Sequence, residues 1–145
     1  MTRSSAGYGA LVTRKIFVNV AVQDLQKSQE FFTALGFRFD PRFTDTNAAC
    51  MVINDDCAVM LLTRDFFRRF TRKELVDAAK NTESIISVSA DRKEEVDELV
   101  NRAFEAGARP SIDPIENEGM YAWGFQDLDG HLWEVVWMDP RALEA

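Results

Sequence analysis

The sequence contains few of the residues on which common catalytic and metal sites depend. Its 145 residues include one histidine and two cysteines, so a Ser-His or Cys-His catalytic pair has His131 as its single candidate base. Cys50 and Cys57 lack the spacing of a zinc-binding pair and are not expected to face each other, which also argues against a disulfide. The chain has neither a glycine-rich phosphate loop nor a nucleophile-elbow motif.

Charge and hydropathy exclude two further classes of protein. The formal net charge is −7, which argues against nucleic-acid binding. No apolar run reaches the length of a membrane span. Residues 1–13 lack the apolar core of a signal peptide, so we expect a flexible N-terminal arm. Because the thiols are predicted to stay reduced, the composition favours a cytoplasmic protein.

The rest of the chain repeats one pattern. Each copy begins with a predicted strand, has an Asp at the predicted start of a helix and has a Gly where that helix should end. These features are residues 15–22, Asp24 and Gly36 in the first copy, and residues 84–90, Asp91 and Gly107 in the second. Three further strands follow each helix, at 37–40, 47–53 and 57–63, and at 109–113, 120–126 and 131–138. We therefore predict two βαβββ modules, 14–63 and 83–140, within one domain at 14–140.

A basic, aromatic segment joins the two modules. Phe66, Phe67 and Phe70 alternate with arginines, and the apolar spacing predicts a linker helix over 64–82. Two roles remain open for it. It is either a helix packed on its apolar side and solvated on its basic side, or a lid whose arginines attract an anionic ligand.

The stretch from Asp127 to Glu134 is the most specific motif. Asp and Gly between two apolar runs predict a hairpin turn, and strand alternation puts Leu132, Glu134 and Val136 on one face. This hairpin resembles the last hairpin of the vicinal oxygen chelate superfamily, which includes glyoxalases, extradiol dioxygenases, fosfomycin-resistance enzymes and bleomycin-binding proteins. With the duplicated modules, the resemblance covers about residues 15–140. It implies an α+β fold, in which two tandem βαβββ modules form an open, cupped mixed sheet with helices on the convex face.

The same resemblance implies where a metal ion would bind. In the metal enzymes of the superfamily, the first and last strands of each module supply the ligands. The corresponding positions here are Phe17, Leu61, Ile85 (or Ser84 if the register shifts by one residue) and Glu134. Three of these four residues cannot bind a metal ion, and one carboxylate does not make a transition-metal site. We therefore predict no metal, no other cofactor, and neither metal-dependent glyoxalase nor dioxygenase activity.

Strand alternation predicts what lines the cup instead. A few polar side chains stand among apolar walls, and small residues leave room, which is typical of a small-molecule pocket. The predicted pocket comprises Glu134, Phe17, Asn19, Leu61, Ile85, Ser87, Ala122, Gly124 and Gln126. His131 has the opposite parity and is predicted to be a surface residue of the turn.

Three functions remain open on the sequence. The first, which we favour, is a metal-free module that binds a small organic molecule. The second is a glyoxalase- or dioxygenase-type enzyme with a displaced metal site, and the third is a structural or regulatory dimer without a ligand. Unpaired sheet edges and the resemblance both predict a homodimer. The sequence leaves open whether the cup closes within one chain or across that dimer.

Overall fold

The computed structural model describes residues 14–143, so the arm predicted at 1–13 lies outside the described residues. The first module has the predicted order of one strand, one helix and three strands. These elements are β1 (Ile16–Val22), α1 (Leu25–Ala34), β2 (Arg38–Asp40), β3 (Ala48–Asn54) and β4 (Cys57–Thr63). The strands form one sheet in the order β1-β4-β3-β2, in which β1 and β4 are parallel and the other pairs are antiparallel.

The linker helix predicted for 64–82 is mostly absent. Helix α2 spans only Arg64–Phe67, continues as one 3-10 turn over Arg68–Phe70, and ends. Beyond it, the side chains of Thr71 and Asp77 each accept the backbone N–H two residues ahead. Such local bonds satisfy the backbone outside a helix, which is why Thr and Asp compete with helix formation. The apolar spacing that predicted a helix therefore belongs to an ordered loop.

The second module repeats the first with one difference. Its elements are β5 (Ile85–Ser89), α3 (Lys93–Glu105), β6 (Arg109–Pro110), β7 (Ile115–Asn117), β8 (Met120–Gln126) and β9 (Leu132–Met138). The sheet order is β5-β9-β8-β6, and β7 also pairs with β8. Of the strand predicted at 109–113, only Arg109–Pro110 is formed, and β7 is a separate short strand after Pro114. Pro110 and Pro114 lack the N–H that a continuous ladder needs. The predicted α+β fold of two tandem modules is confirmed.

The helix boundaries follow the sequence signals closely but not completely. Asp24 is the N-cap of α1, and its carboxylate accepts a backbone N–H of the first turn at 3.0 Å. The prediction of Asp91 as the second N-cap is wrong by one residue, because α3 begins after Arg92. Gly36 and Gly107 follow the helix ends with φ of +102° and +112°, a conformation that costs glycine least.

The modules are joined through the helix-facing sides of their sheets. The ring of Phe32 on α1 lies 4.9 Å from the ring of Trp133 on β9, and Phe31 lies 6.0 Å from Phe125 on β8. Val100 of α3 is fully buried in the same core. The predicted cup therefore lies on the opposite face of each sheet, away from the helices. Within residues 14–143, no helix is long and apolar enough to cross a membrane.

Candidate functional site

The first module turns Leu61 away from the cup, so the prediction for this residue is wrong. Leu61 has an exposed fraction of 0% and lies in the core. In the parallel ladder it is paired with Val20, and both side chains face α1. Because β4 is apolar from Cys57 to Leu62, alternation gave no sign of which side chains face inward.

Met60 takes the position that the sequence assigned to Leu61. It is paired with Asn19 across the β1–β4 ladder, as Glu134 is paired with Ser87 across the β5–β9 ladder. Met60 is therefore the structural counterpart of Glu134 in the first module. Its thioether is a soft ligand, which does not suit the hard, oxygen-activating metals.

In the second module, four of the nine predicted pocket residues, Ile85, Ala122, Gly124 and Glu134, line one cavity. The Ser87 hydroxyl donates a hydrogen bond of 2.9 Å to Oε1 of Glu134. Glu134, but not Ser87, lines this cavity of about 90 Å³, whose walls also include the exposed Asp113. This small cavity, in which Ser87 orients the carboxylate of Glu134 and Asp113 is exposed to solvent, is hereafter called the Glu134 cup.

Two predicted pocket residues in this module have structural roles. A Cβ on Gly124 would stand 2.2 Å from the carbonyl oxygen of Trp133, so the close approach of β8 and β9 requires glycine there. The side-chain amide of Gln126 donates to the Pro110 carbonyl at 2.9 Å, which ties β8 to β6. Gln126 does not line the Glu134 cup.

The pocket residues of the first module lie elsewhere. Phe17 has an exposed fraction of 57% and lines neither cavity described here. Asn19 lines a second, larger cavity between the modules. One chain therefore does not bring Phe17 and Asn19 together with Glu134.

The hairpin turn holds a buried network that the sequence did not predict. Asp127 has an exposed fraction of 4%. Its carboxylate accepts N–H groups from Asp129 at 2.9 Å, from His131 at 3.0 Å and from the Trp133 indole at 2.9 Å. Burial raises the pKa of Asp127, and the neighbouring His131 and the indole N–H act in the opposite direction. The sequence feature that could have predicted this network is the Asp-x-Asp-Gly-His turn at 127–131, followed by Trp133.

The prediction that His131 is a surface residue of the turn is wrong. It is half-buried, and its Nε2 lies 2.7 Å from the Ala21 carbonyl oxygen. Since a carbonyl only accepts, Nε2 carries the proton in this contact. Beside it, Oδ1 of Asp129 accepts the backbone N–H of Gln23 at 2.7 Å. The turn thus fastens the second module to the end of β1.

The side chains at the superfamily's metal positions do not fit a metal ion. Phe17, Met60 and Ile85 offer no oxygen or nitrogen donor, and Glu134 already accepts from Ser87. Within residues 14–143, no three His, Cys, Asp or Glu side chains are grouped closely enough to hold a metal. Cys50 and Cys57 are both free, and the β3–β4 register pairs Cys50 with Met60 and Cys57 with Asn54, so the two cysteines are not cross-strand partners.

Residues 14–54 match the family model for the bleomycin resistance protein-like N-terminal domain. No curated protein sequence matches the chain at a significant level.

Several solved structures share its fold. The hypothetical protein SA1046 from S. aureus is 31% identical, with a TM-score of 0.72 over 90% of this chain and 97% of that one. A glyoxalase/bleomycin resistance protein/dioxygenase family enzyme from Burkholderia phytofirmans is 17% identical, with a TM-score of 0.70 over 84% and 96% of the two chains. The fosfomycin resistance protein FosX from Mesorhizobium loti is 15% identical, with a TM-score of 0.66 over 93% and 100%.

Proposed function

Since residues 14–54 match the bleomycin resistance protein-like N-terminal family model and the fold is that of glyoxalase/bleomycin resistance proteins, we propose that the chain is a glyoxalase/bleomycin-resistance-like protein of the vicinal oxygen chelate superfamily that binds a small organic molecule without a metal ion. The observation that carries the proposal is the Glu134 cup. There a carboxylate oriented by Ser87 at 2.9 Å stands among Ile85, Ala122 and Gly124, while the other metal positions hold apolar side chains. A carboxylate in such walls favours an apolar ligand that carries a hydrogen-bond donor or a positive charge.

We further propose that a second copy of the chain completes the cup. The Glu134 cup measures about 90 Å³, whereas ligand sites usually enclose roughly 300–1,000 Å³. Strands β1 and β5 are outer strands of their sheets in the described part of the chain. Phe17 of β1 and Ile85 of β5, which stand on the sheet faces away from the helices, are exposed. A partner's β1 beside β5 would cover these apolar side chains and enlarge the pocket.

The proposal places the protein in the cytoplasm. Two free thiols, one of them buried, support this assignment, because such thiols persist in a reducing compartment. Burial raises the pKa of Cys50, which keeps it a thiol and makes it a poor nucleophile.

Replacing Glu134 with glutamine should weaken the binding of an apolar amine such as phenethylamine by about 2–3 kcal/mol, because a charge-assisted hydrogen bond is lost. The cup is partly open to solvent, so the low end of the usual range applies. The fold should be unaffected, and isothermal titration with a melting curve of each variant measures both quantities.

Glu118→Gln is the matched control, because it removes the same charge at an exposed position outside the cup. It should bind like the wild type. Equal affinity of wild type and Glu134→Gln would remove Glu134 from the binding site. If neither apolar amines nor their neutral analogues bound to the dimer, the chain would be a structural protein without a ligand.

A further inference from the structure

A larger cavity lies apart from the Glu134 cup, at the junction of the two modules and the linker. It has a volume of about 370 Å³, within the usual range of small-molecule sites. The end of β1, the linker and the residues after the hairpin turn form its walls. Leu132 is the one residue that it shares with the Glu134 cup. The cavity is hereafter called the junction cavity.

The linker is fixed over this cavity by close contacts. Gly130 of the hairpin turn has φ of +93°, and a Cβ on it would stand 2.7 Å from the Ala78 carbonyl oxygen and 2.8 Å from Cα of Ala79. Only glycine allows the turn to lie this close to the linker backbone. The bond from His131 to Ala21 closes the adjoining wall. The junction cavity is thus bounded by packed elements.

The charges in the cavity point to an anionic ligand. Arg64 is half-buried and lines the wall. Within residues 14–143, its guanidinium has no ion-pair partner, whereas Arg68 of the same segment pairs with Asp65 at 2.7 Å. A partly desolvated guanidinium gains most from a bidentate anion.

The remaining charged side chains are at the rim, and the walls are largely apolar. Lys73, Glu74 and Glu83 also line the cavity, but all three are exposed, so their charges are solvated and screened. The apolar part of the walls comprises Val20, Ala21, Phe67, Leu75, Val76, Ala78 and Leu132. Uncharged polar side chains, among them Asn19, Thr71 and Asn81, line the rest.

We propose that the junction cavity is a second binding site, which takes an apolar molecule with one anionic group and holds that group on Arg64. A volume of about 370 Å³ excludes a large polymer, and the apolar part of the walls favours a ring or short hydrocarbon attached to a carboxylate, sulfonate or phosphate. This site is separate from the Glu134 cup and goes beyond the function proposed for it.

The test compares naphthaleneacetate with naphthaleneacetamide, which has the same ring system but no charge. Naphthaleneacetate should bind the full chain, and heteronuclear NMR spectra should show shifts in residues 64–84 and in Gly130 to Leu132. Arg64→Gln should weaken naphthaleneacetate binding about ten- to a hundredfold, as expected for the loss of a hydrogen bond to a charged group. It should leave the amide's weaker binding unchanged.

Arg72→Gln is the control, because Arg72 is an exposed linker arginine that does not line the cavity. It should retain wild-type affinity, and Glu134→Gln should retain it as well. The proposal would be overturned by equal binding of acid and amide, by unchanged affinity in a folded Arg64→Gln variant, or by shifts confined to the Glu134 cup. Absence of binding at millimolar naphthaleneacetate would overturn it too.

Discussion

Replacing Asp127 with alanine should lower the free energy of unfolding by about 3–5 kcal/mol, because it leaves buried donors without an acceptor. The carboxylate accepts three N–H groups, two from the turn backbone and one from the Trp133 indole. Water cannot replace it freely, since the side chain is buried. Equilibrium unfolding in urea, with the midpoint and slope compared between variants, gives the change.

Two neighbouring substitutions serve as controls for Asp127. Asp127→Asn keeps one acceptor oxygen and removes a buried charge, so it should cost less than the alanine variant. Asp129→Ala removes the acceptor of a single backbone N–H, that of Gln23, and should cost about 1 kcal/mol. A loss below about 1 kcal/mol in Asp127→Ala would show that the network does not hold the hairpin.

Replacing Phe17 with aspartate should convert the proposed homodimer into a monomer. An aromatic anchor at the centre of an interface contributes about 2 kcal/mol or more. A symmetric dimer contains the residue twice, so the loss of about 4 kcal/mol should raise the dissociation constant about a thousandfold. Light scattering over a concentration series should give twice the 16.5 kDa chain mass for the wild type and one chain mass for the variant.

Phe43→Asp is the matched control for this substitution. Phe43 has an exposed fraction of 59%, close to the 57% of Phe17, but it lies in the 3-10 turn Pro41–Phe43 beyond β2. The Phe43→Asp variant should remain dimeric. A wild-type protein that is monomeric at tens of micromolar would contradict the shared cup, and so would dissociation of both variants to the same extent.

Local signals were sufficient to predict the order of elements in the two modules, and the family resemblance implied how the sheets are arranged. A strand, an Asp cap, an apolar helix face and a terminal glycine occur twice, and each is a short-range feature that one sequence displays. Asp24 and Gly36 mark the boundaries of α1 correctly. The N-cap predicted at Asp91 lies one residue before the observed N-cap, Arg92, a difference that is ordinary for helix ends.

The candidate site was predicted less completely, because it depends on which strands pair. Alternation was sufficient for β9, where Glu134 stands out among apolar neighbours, and its partner Ser87 follows from the parallel ladder. It was insufficient for β4, where Leu61 and Met60 are both apolar and only the pairing with β1 decides which faces the cup.

The linker and the turn could not be predicted from periodicity. The apolar spacing of the linker suggested a helix, but side-chain bonds from Thr71 and Asp77 compete with one. The half-buried state of His131 depends on Ala21, which lies 110 positions away in the sequence. Contacts between residues so far apart in the sequence are set by tertiary packing. Contacts of the same kind form the junction cavity.

The most direct test of a metal-free function is the metal content of the protein, purified from cells without chelator and measured by plasma emission spectrometry. Phe17, Met60 and Ile85 offer no oxygen or nitrogen ligand, and within residues 14–143 no three His, Cys, Asp or Glu side chains are grouped around Glu134, so the cup should not retain an ion through purification. We predict less than about 0.1 zinc, nickel, manganese or iron per chain. About one such ion per chain, lost in Glu134→Gln, would contradict the proposal and establish a displaced metal site.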